Sequence, residues 1–389
     1  MRIKTILTNI AVLVVSSAVA LVLSEGFVRL FLNPADFLMV RPVPDDILGA
    51  RIVPRSAGFD EWGFRNQRVP TNVDMVAIGD SHTYGNNAKM EDSWPYVAGR
   101  STGLRVYNLA LGGYGPNQYY YLLKTKALRL KPRWILCGVW LGDDLENAFL
   151  ITYGKDYWSF LRNGEWTQTD SDIWHSDVWQ PEEYPRSFED LRIWLSKNSM
   201  VYQLVFHGPI LGRLKGAWQV REAARGEDPL RTALTVPEAN IQEAFRPVRY
   251  SKNLDQHDPS IREGMRITLH LLKEMYKVSR ENGAQFVVVL IPTKESVFAP
   301  YLLGHSEIHL SEVIDKLITE EQIARNELVD LFKRDGIPYI DTLPALRREV
   351  GNQLYYRGSS DMHPIKNGYA VIGNEVAAFL KEFRGATIR

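Results

Sequence analysis

The stretch MVAIGDSHTYG, residues 75–85, sets an apolar run against a sharp break that carries a serine. Met75, Val76, Ala77 and Ile78 suit a strand buried on both faces, and Gly79 ends it. A serine displayed at the end of a strand has the place of a nucleophile. It needs a base to take its proton and a group to bind the negative charge that its attack creates. The rest of the chain is read for those two requirements.

Similar apolar runs recur along the sequence. LRVYNLAL (104–111), RWILCGVWL (133–141), QFVVVLI (285–291) and IPYID (337–341) read as further strands, polar on neither face. Helical patterns fill the gaps. Residues 117–130 carry an apolar stripe, and 261–282 place Ile261, Met265, Leu269, Leu272 and Tyr276 on one face before the stop at Gly283. A third pattern covers 311–335 and ends at Gly336, and GYAVIGNEVAAFLKEF (368–383) reads as an amphipathic closing helix. This alternation predicts an α/β fold, a three-layer sandwich around a central parallel sheet.

The chain has 389 residues, enough for one large domain with an insertion or for two domains. Its 46 basic residues balance 46 acidic ones, which argues against a nucleic-acid partner. The single cysteine, Cys137, lies within an apolar run and reads as a packing residue. No Cys/His metal spacing is present, and the stretch from Gly79 to Gly85 lacks the lysine of a phosphate-binding loop. Neither a metal nor a cofactor is therefore expected.

The N-terminus reads differently. Residues 5–23, TILTNIAVLVVSSAVALVL, contain no charge, and as a helix they span roughly 28 Å, close to the hydrocarbon thickness of a bilayer. Arg2 and Lys4 precede the run, which favours a cytoplasmic N-terminus and a periplasmic or extracellular remainder. An uncleaved single-pass anchor over 1–33 is the expectation, and a signal peptide cleaved after Ala18-Val19-Ala20 is its rival. Residues 34–72 read as an extended linker docked on the domain edge, 73–146 as the first part of the α/β domain and 259–389 as the second. Between them, 147–258 reads as an insertion or cap. It contains six of the ten tryptophans (Trp158, Trp166, Trp174, Trp179, Trp194 and Trp218), suited either to a small core of its own or to a groove for sugar rings.

A base for Ser81 is offered far downstream, in SSDMHPIKNGYAVIG (359–373). Asp361 and His363 stand two apart and point the same way in an extended segment. The imidazole can accept the serine proton while the carboxylate holds its tautomer; alternatively both are loop and cap residues. For the oxyanion, the candidates are the amides of Ser81 and of Gly113 in NLALGGYGPNQ, with Asp143, Asp144 and Asn147 at the end of the third strand in LGDDLENAF. Asp80 reads as a turn residue and His82 as packing or a substrate contact. Lys294, just past the fourth strand, is either a substrate contact for a carboxylate of a uronic-acid-like sugar or one half of a salt bridge to a neighbouring loop.

Taken together, these segments resemble the SGNH or GDSL hydrolases. GDSHTYG (79–85) is similar to that family's first block, NLALGG (108–113) to its second, LGDD (141–144) to its third and DMHP (361–364) to its last. The resemblance implies an SGNH/flavodoxin-like sandwich with Ser81 as nucleophile, His363 and Asp361 completing a triad, and Gly113 lining the oxyanion hole. DEWGFRNQ (60–67), IPTKESVFAPYL (291–302) and the N-terminal apolar run are similar to a membrane-anchored branch related to alginate O-acetylation enzymes. One position departs from the family: its third block supplies an asparagine side chain to the oxyanion, and Asp143 stands there. Either Asp143 is held protonated and donates, or the amides of Ser81 and Gly113 serve with help from Asn147 or a water, or hydrolysis is reduced. The resemblance thus implies a serine esterase acting on ester groups, O-acetyl groups of envelope carbohydrate above all. An O-acetyltransferase on surface polysaccharide and a non-catalytic glycan-binding protein are the alternatives.

Overall fold

The chain is described from a computed structural model that covers residues 2–40, 42–163, 188–206 and 230–387. Two short strands, β1 (Pro42–Asp45) and β2 (Gly49–Ile52), pair antiparallel ahead of the first apolar run. The chain then passes through β3 (Met75–Ile78), β4 (Val106–Asn108), β5 (Trp134–Trp140), an antiparallel hairpin of β6 (Thr232–Val236) and β7 (Ile241–Phe245), and finally β8 (Gln285–Ile291) and β9 (Tyr339–Asp341). The five predicted runs form one sheet in the order β4-β3-β5-β8-β9, with every neighbouring pair parallel. All residues of β3 and β5 are buried, which is why these runs show no alternation of polar and apolar residues. The edge strands β4 and β9 are three residues each, so little unpaired backbone is exposed for edge-to-edge association.

Parallel neighbours need crossover connections, and helices fill most of them. Leaving aside the short helices Ala299–Leu302 and Leu343–Arg348, they are in chain order α1 (Arg2–Phe31), α2 (Ser81–Tyr84), α3 (Trp94–Thr102), α4 (Pro116–Thr125), α5 (Asp144–Gly154), α6 (Phe188–Asn198), α7 (Met200–Phe206), α8 (Pro247–Asn253), α9 (Pro259–Glu281), α10 (Lys294–Val297), α11 (Ser311–Asp335) and α12 (Lys366–Thr387). Helices α3 and α12 pack together, and α4, α5 and α9 form a second packed group. The strand order reverses direction at β3, so the carboxyl ends of β3 and β5 flank the crevice where such sheets collect ligands. Ser81 follows β3, and Asp143 follows β5.

Several expected bounds shift for local reasons. The predicted 104–111 strand pairs only over Val106–Asn108, yet Leu109 and Leu111 still donate to the carbonyls of Ala77 and Gly79 at 2.8 and 3.3 Å. The predicted 117–130 helix ends at Thr125 and continues as a 3-10 turn, Ala127–Leu130, closed by Lys131 at φ +49°. The segment 34–72 is folded rather than extended, with Ile52, Phe59, Asp60, Phe64, Arg65 and Asn66 all buried. Asp60 organises it: its carboxylate accepts from the N–H groups of Trp62 and Phe64, from Asn66 Nδ2 and from the Tyr107 hydroxyl.

The expected insertion boundary at 147 falls inside α5. Within the insertion, Trp158 is buried and donates to the Ile47 carbonyl at 2.9 Å, while Trp194 is 58% exposed. Trp166, Trp174, Trp179 and Trp218 lie outside the described residues. Helix α1 is long and apolar enough over Thr5–Phe31 to cross a membrane, and none of that stretch is buried in the domain. Its distal end touches the insertion: Glu25 accepts from the N–H groups of Met200 and Val201 at 2.8 and 3.1 Å, and Arg29 donates to the Asn198 carbonyl at 2.8 Å.

Helices α5 and α9 approach so closely that a Cβ on Gly264 would collide with the Leu145 carbonyl. Gly264→Ala is therefore expected to lower unfolding stability by about 1–3 kcal/mol despite the better helix propensity of alanine, read by denaturant titration of the chain.

Candidate active site

The turn after β3 is built tightly. A Cβ on Gly79 would strike the Thr83 side chain, so only glycine fits there. Asp80 caps α2, its carboxylate accepting from the His82 N–H at 2.9 Å, and Gly85 closes the turn at φ +89°. Two outer residues brace this loop. Asn108 Nδ2 donates to the Thr83 carbonyl at 2.8 Å. Arg65, ion-paired with Asp36 at 2.6 Å, donates to the carbonyls of Gly85 and Ala88 and lies over the Tyr84 ring. The pattern DEWGFRNQ thus contributes Asp60, Arg65 and Asn66 as supports of the serine loop and of β4.

Ser81, at 9% exposure, sits at the mouth of this turn. Its Oγ lies 2.8 Å from His363 Nε2, and His363 Nδ1 lies 2.7 Å from Asp361 Oδ1. Asp361 can only accept when ionised, so Nδ1 carries the proton and Nε2 is left to accept from the serine hydroxyl. The His363 N–H also donates to Asp361 Oδ1 at 2.9 Å. Burial pushes the Asp361 carboxyl upward, but the His363 ring, the His363 N–H and the Asn87 amide together hold it well below the usual carboxylate range.

Among the described residues, no hydrogen bond inside the chain engages the backbone N–H of Ser81 or of Gly113. Gly113 adopts φ +77°, and a Cβ on its neighbour Gly112 would stand 3.6 Å from Ser81 Cβ, so the second block lies directly against Ser81. At the end of β5, Asp143 Oδ1 and Asn147 Nδ2 are buried without a partner at hydrogen-bond geometry. Asn147 fits only because Gly115 lacks a side chain: a Cβ there would stand 2.9 Å from Asn147 Cβ. Burial, then repulsion from Asp80 and Glu146, push the Asp143 carboxyl well above its usual range, against the opposing pull of Arg249 and the Asn147 amide. Its neighbour Asp144 is structural, accepting from the Tyr119 hydroxyl at 2.8 Å and the Trp140 N–H at 3.0 Å.

His82 lies beside the ring of His363, with the two ring centroids 4.7 Å apart. Its ring stacks on Trp140 at 4.2 Å, pairs through Nδ1 with Asp80 at 3.1 Å, and is held towards the neutral form by burial, against the pull of Asp80. Lys294 is not at the rim, as a substrate contact requires, but 2% exposed and ion-paired with Glu243 at 2.5 Å. The salt-bridge alternative describes where it sits, because the insertion hairpin covers it. Asn86 and Asn87 were not singled out by sequence. Asn86 Nδ2 stands 3.4 Å from His363 Nε2, and Asn87 Nδ2 donates to the His363 carbonyl at 3.3 Å. Their one signal is Asn87 in the left-handed region, φ +67°, a conformation asparagine tolerates. Among the described residues no cluster of His, Cys, Asp and Glu could hold a metal ion.

No family model matches the chain, and no curated protein does. Among solved structures it is similar to an extracellular lipase from Streptomyces rimosus, with a TM-score of 0.37 and 13% identity over 78% of this chain and 99% of the other. A GDSL-like lipase from Bacteroides thetaiotaomicron gives 0.36 and 9% over 79% and 88%. A catalytic mutant of Axe2, an acetylxylan esterase from Geobacillus stearothermophilus, gives 0.35 and 11% over 81% and 95%. Likeness of this size carries no argument, and the fold rests on the sheet order given above.

The lowered Asp361 carboxyl has a consequence for stability. A depressed carboxylate contributes stability that is present above its unfolded value, near pH 4, and is lost as pH falls through its folded value. The stability difference between the native chain and Asp361→Asn should therefore be constant above about pH 5 and shrink steadily below about pH 4. Urea titrations of both proteins across pH 2–7 would check this, and a difference that is flat with pH would refute it.

Proposed function

We propose that the chain is a serine esterase, with Ser81 as nucleophile, His363 as base and Asp361 as the group that orients it. The observation that carries this reading is the hydrogen-bonded line Ser81–His363–Asp361 at the carboxyl end of β3, where the strand order reverses. Ser81 Oγ attacks the carbonyl carbon of an ester while its proton passes to His363 Nε2. The tetrahedral oxyanion is met by the free amides of Ser81 and Gly113. The imidazolium then returns its proton to the leaving alcohol, and the acyl group stays on Ser81. A water, deprotonated by the same imidazole, releases the acid and restores the serine.

The acid at the third block fits this chemistry in its neutral form. The upward shift of Asp143 favours its protonated form, which can donate a hydrogen bond where an ionised carboxylate would repel the oxyanion. This favours the protonated reading of Asp143, with Asn147 beside it as a second side-chain donor. We take the substrate class to be O-acyl, and in particular O-acetyl, groups on carbohydrate of the cell envelope, on the strength of the SGNH-like blocks and the long apolar α1 ahead of the domain. In this reading α1 is an uncleaved anchor and the catalytic domain faces away from the cytoplasm. Transfer to a sugar hydroxyl in place of water uses the same residues and differs only in the acceptor.

A fluorophosphonate probe should label the wild type but not Ser81→Ala, and Ser81→Ala should lose chromogenic acetate-ester turnover by at least about 10⁴-fold. Absence of labelling in both would refute an enzyme and favour the glycan-binding alternative. Acetylation of an oligosaccharide with little ester hydrolysis would replace the esterase by the transferase.

Asp143→Ala is expected to cost about 10²–10³-fold in kcat. Asp143→Asn should stay within several-fold of the wild type at pH 7. Because the neutral acid is the donor, wild-type turnover should decline as pH rises through the raised Asp143 value, and Asp143→Asn should lack that decline. An identical alkaline limb in both pH–rate profiles would overturn the assignment.

A further inference from the structure

The buried cation Lys294 takes part in no step above, yet it joins the insertion to the loop that carries the acid and the base. The Lys294 ammonium donates to the Ser359 carbonyl at 2.8 Å and to the Ala244 carbonyl at 3.3 Å, and it is ion-paired with Glu243 Oε2 at 2.5 Å. Glu243 and Ala244 belong to β7, whereas Ser359 stands two residues before Asp361 and its Oγ accepts from the Asp361 N–H at 3.2 Å. The turn that bears Lys294 is itself fixed, because Glu321, ion-paired with Arg325, accepts from the hydroxyls of Thr293 and Ser296. The insertion grips the same loop on either side of Ser359. The Gly358 N–H donates to the Gln242 carbonyl at 2.8 Å, and the Tyr250 hydroxyl meets Met362 Sδ at 3.3 Å.

The loop needs such a hold. None of residues 356–363 is buried, so packing alone does not define where Asp361 and His363 stand. A charge pair buried between two segments is a costly source of stability, but it selects one arrangement of the groups that satisfy it.

We propose that the Lys294–Glu243 pair is a positioning device that ties the insertion hairpin to the 358–363 loop, setting Asp361 and His363 against Ser81. The proposal rests on the reading of His363 and Asp361 as base and orienting acid. Lys294 acts through the Ser359 carbonyl and touches no reacting atom, so its loss acts on turnover and not on substrate binding.

The test is the double variant Lys294→Met with Glu243→Met, which removes both charges without leaving either one buried and alone. It should fold, read by circular dichroism, with kcat lowered about 10–10²-fold and KM within about two-fold of wild type. The far-downfield proton resonance of His363 Nδ1–H bonded to Asp361 should be present in the wild type and lost or broadened in the variant. If the double variant does not fold, Glu243→Gln, which keeps the shape and a neutral acceptor, should show the same kcat loss and broadening to a smaller degree. A folded variant with that resonance intact and wild-type kcat overturns the proposal. Should the wild type show the resonance but no ester turnover, the esterase reading falls, and the resonance of the variants alone decides the positioning role.

Discussion

The imidazole of His363 is the junction on which the site depends. Its two hydrogen bonds, 2.8 Å to Ser81 and 2.7 Å to Asp361, join segments 282 residues apart in sequence. The two sides of that junction are held by different means. Ser81 stands on a turn clamped by a buried strand, a capped short helix and the carbonyl contacts of Arg65 and Asn108. His363 and Asp361 stand on a half-exposed loop held by discrete polar ties, from Asn87, Tyr250 and Lys294. A clamped serine facing a tethered histidine means that displacement of the site begins on the histidine side, where hydrogen bonds rather than packing fix the geometry.

The end of β5 gathers Asp143, Asp144 and Glu146 close to Asp80, and so many carboxylates in a poorly solvated place do not all ionise. Burial raises all three, with repulsion from Asp80 added for Asp143 and Asp144 and from Asp258 for Glu146. Asp144 is committed to the Tyr119 hydroxyl and the Trp140 N–H, and so fixes the strand end. Asp143 is left with an unpartnered oxygen. Under the proposed chemistry, the departure from the asparagine of the family's third block becomes a proton-dependent donor, working while the acid is neutral.

The segments on either side of the core sheet also serve the site. The stretch before β3, expected as a linker, wraps its buried Asp60, Arg65 and Asn66 beneath the serine loop. The insertion faces two ways. Its helices α6 and α7 meet Glu25 and Arg29 at the end of α1, and its hairpin holds the triad loop.

The strands, the long helices and the four polar blocks were legible in the sequence because each is local. Continuous apolar runs mark strands buried on both faces, and 285–291 and 311–335 match their observed bounds. The loop position of Ser81 and the two-residue spacing of Asp361 and His363 follow from the same local reading, helped by the family resemblance. What the sequence left open was decided by contacts between distant segments. Lys294 reads either as a substrate contact or as half of a salt bridge, and it is buried because residues 50 and 65 positions away supply its acceptors. The linker reads as extended because its polar residues find their partners, Tyr107 and Asn108, only after folding. The sequence leaves the charge of Asp143 open, and what raises its carboxyl is burial together with Asp80, a neighbour that only the parallel sheet brings near. Periodicity records which face a residue turns inward, whereas protonation and partner choice depend on what the fold places there.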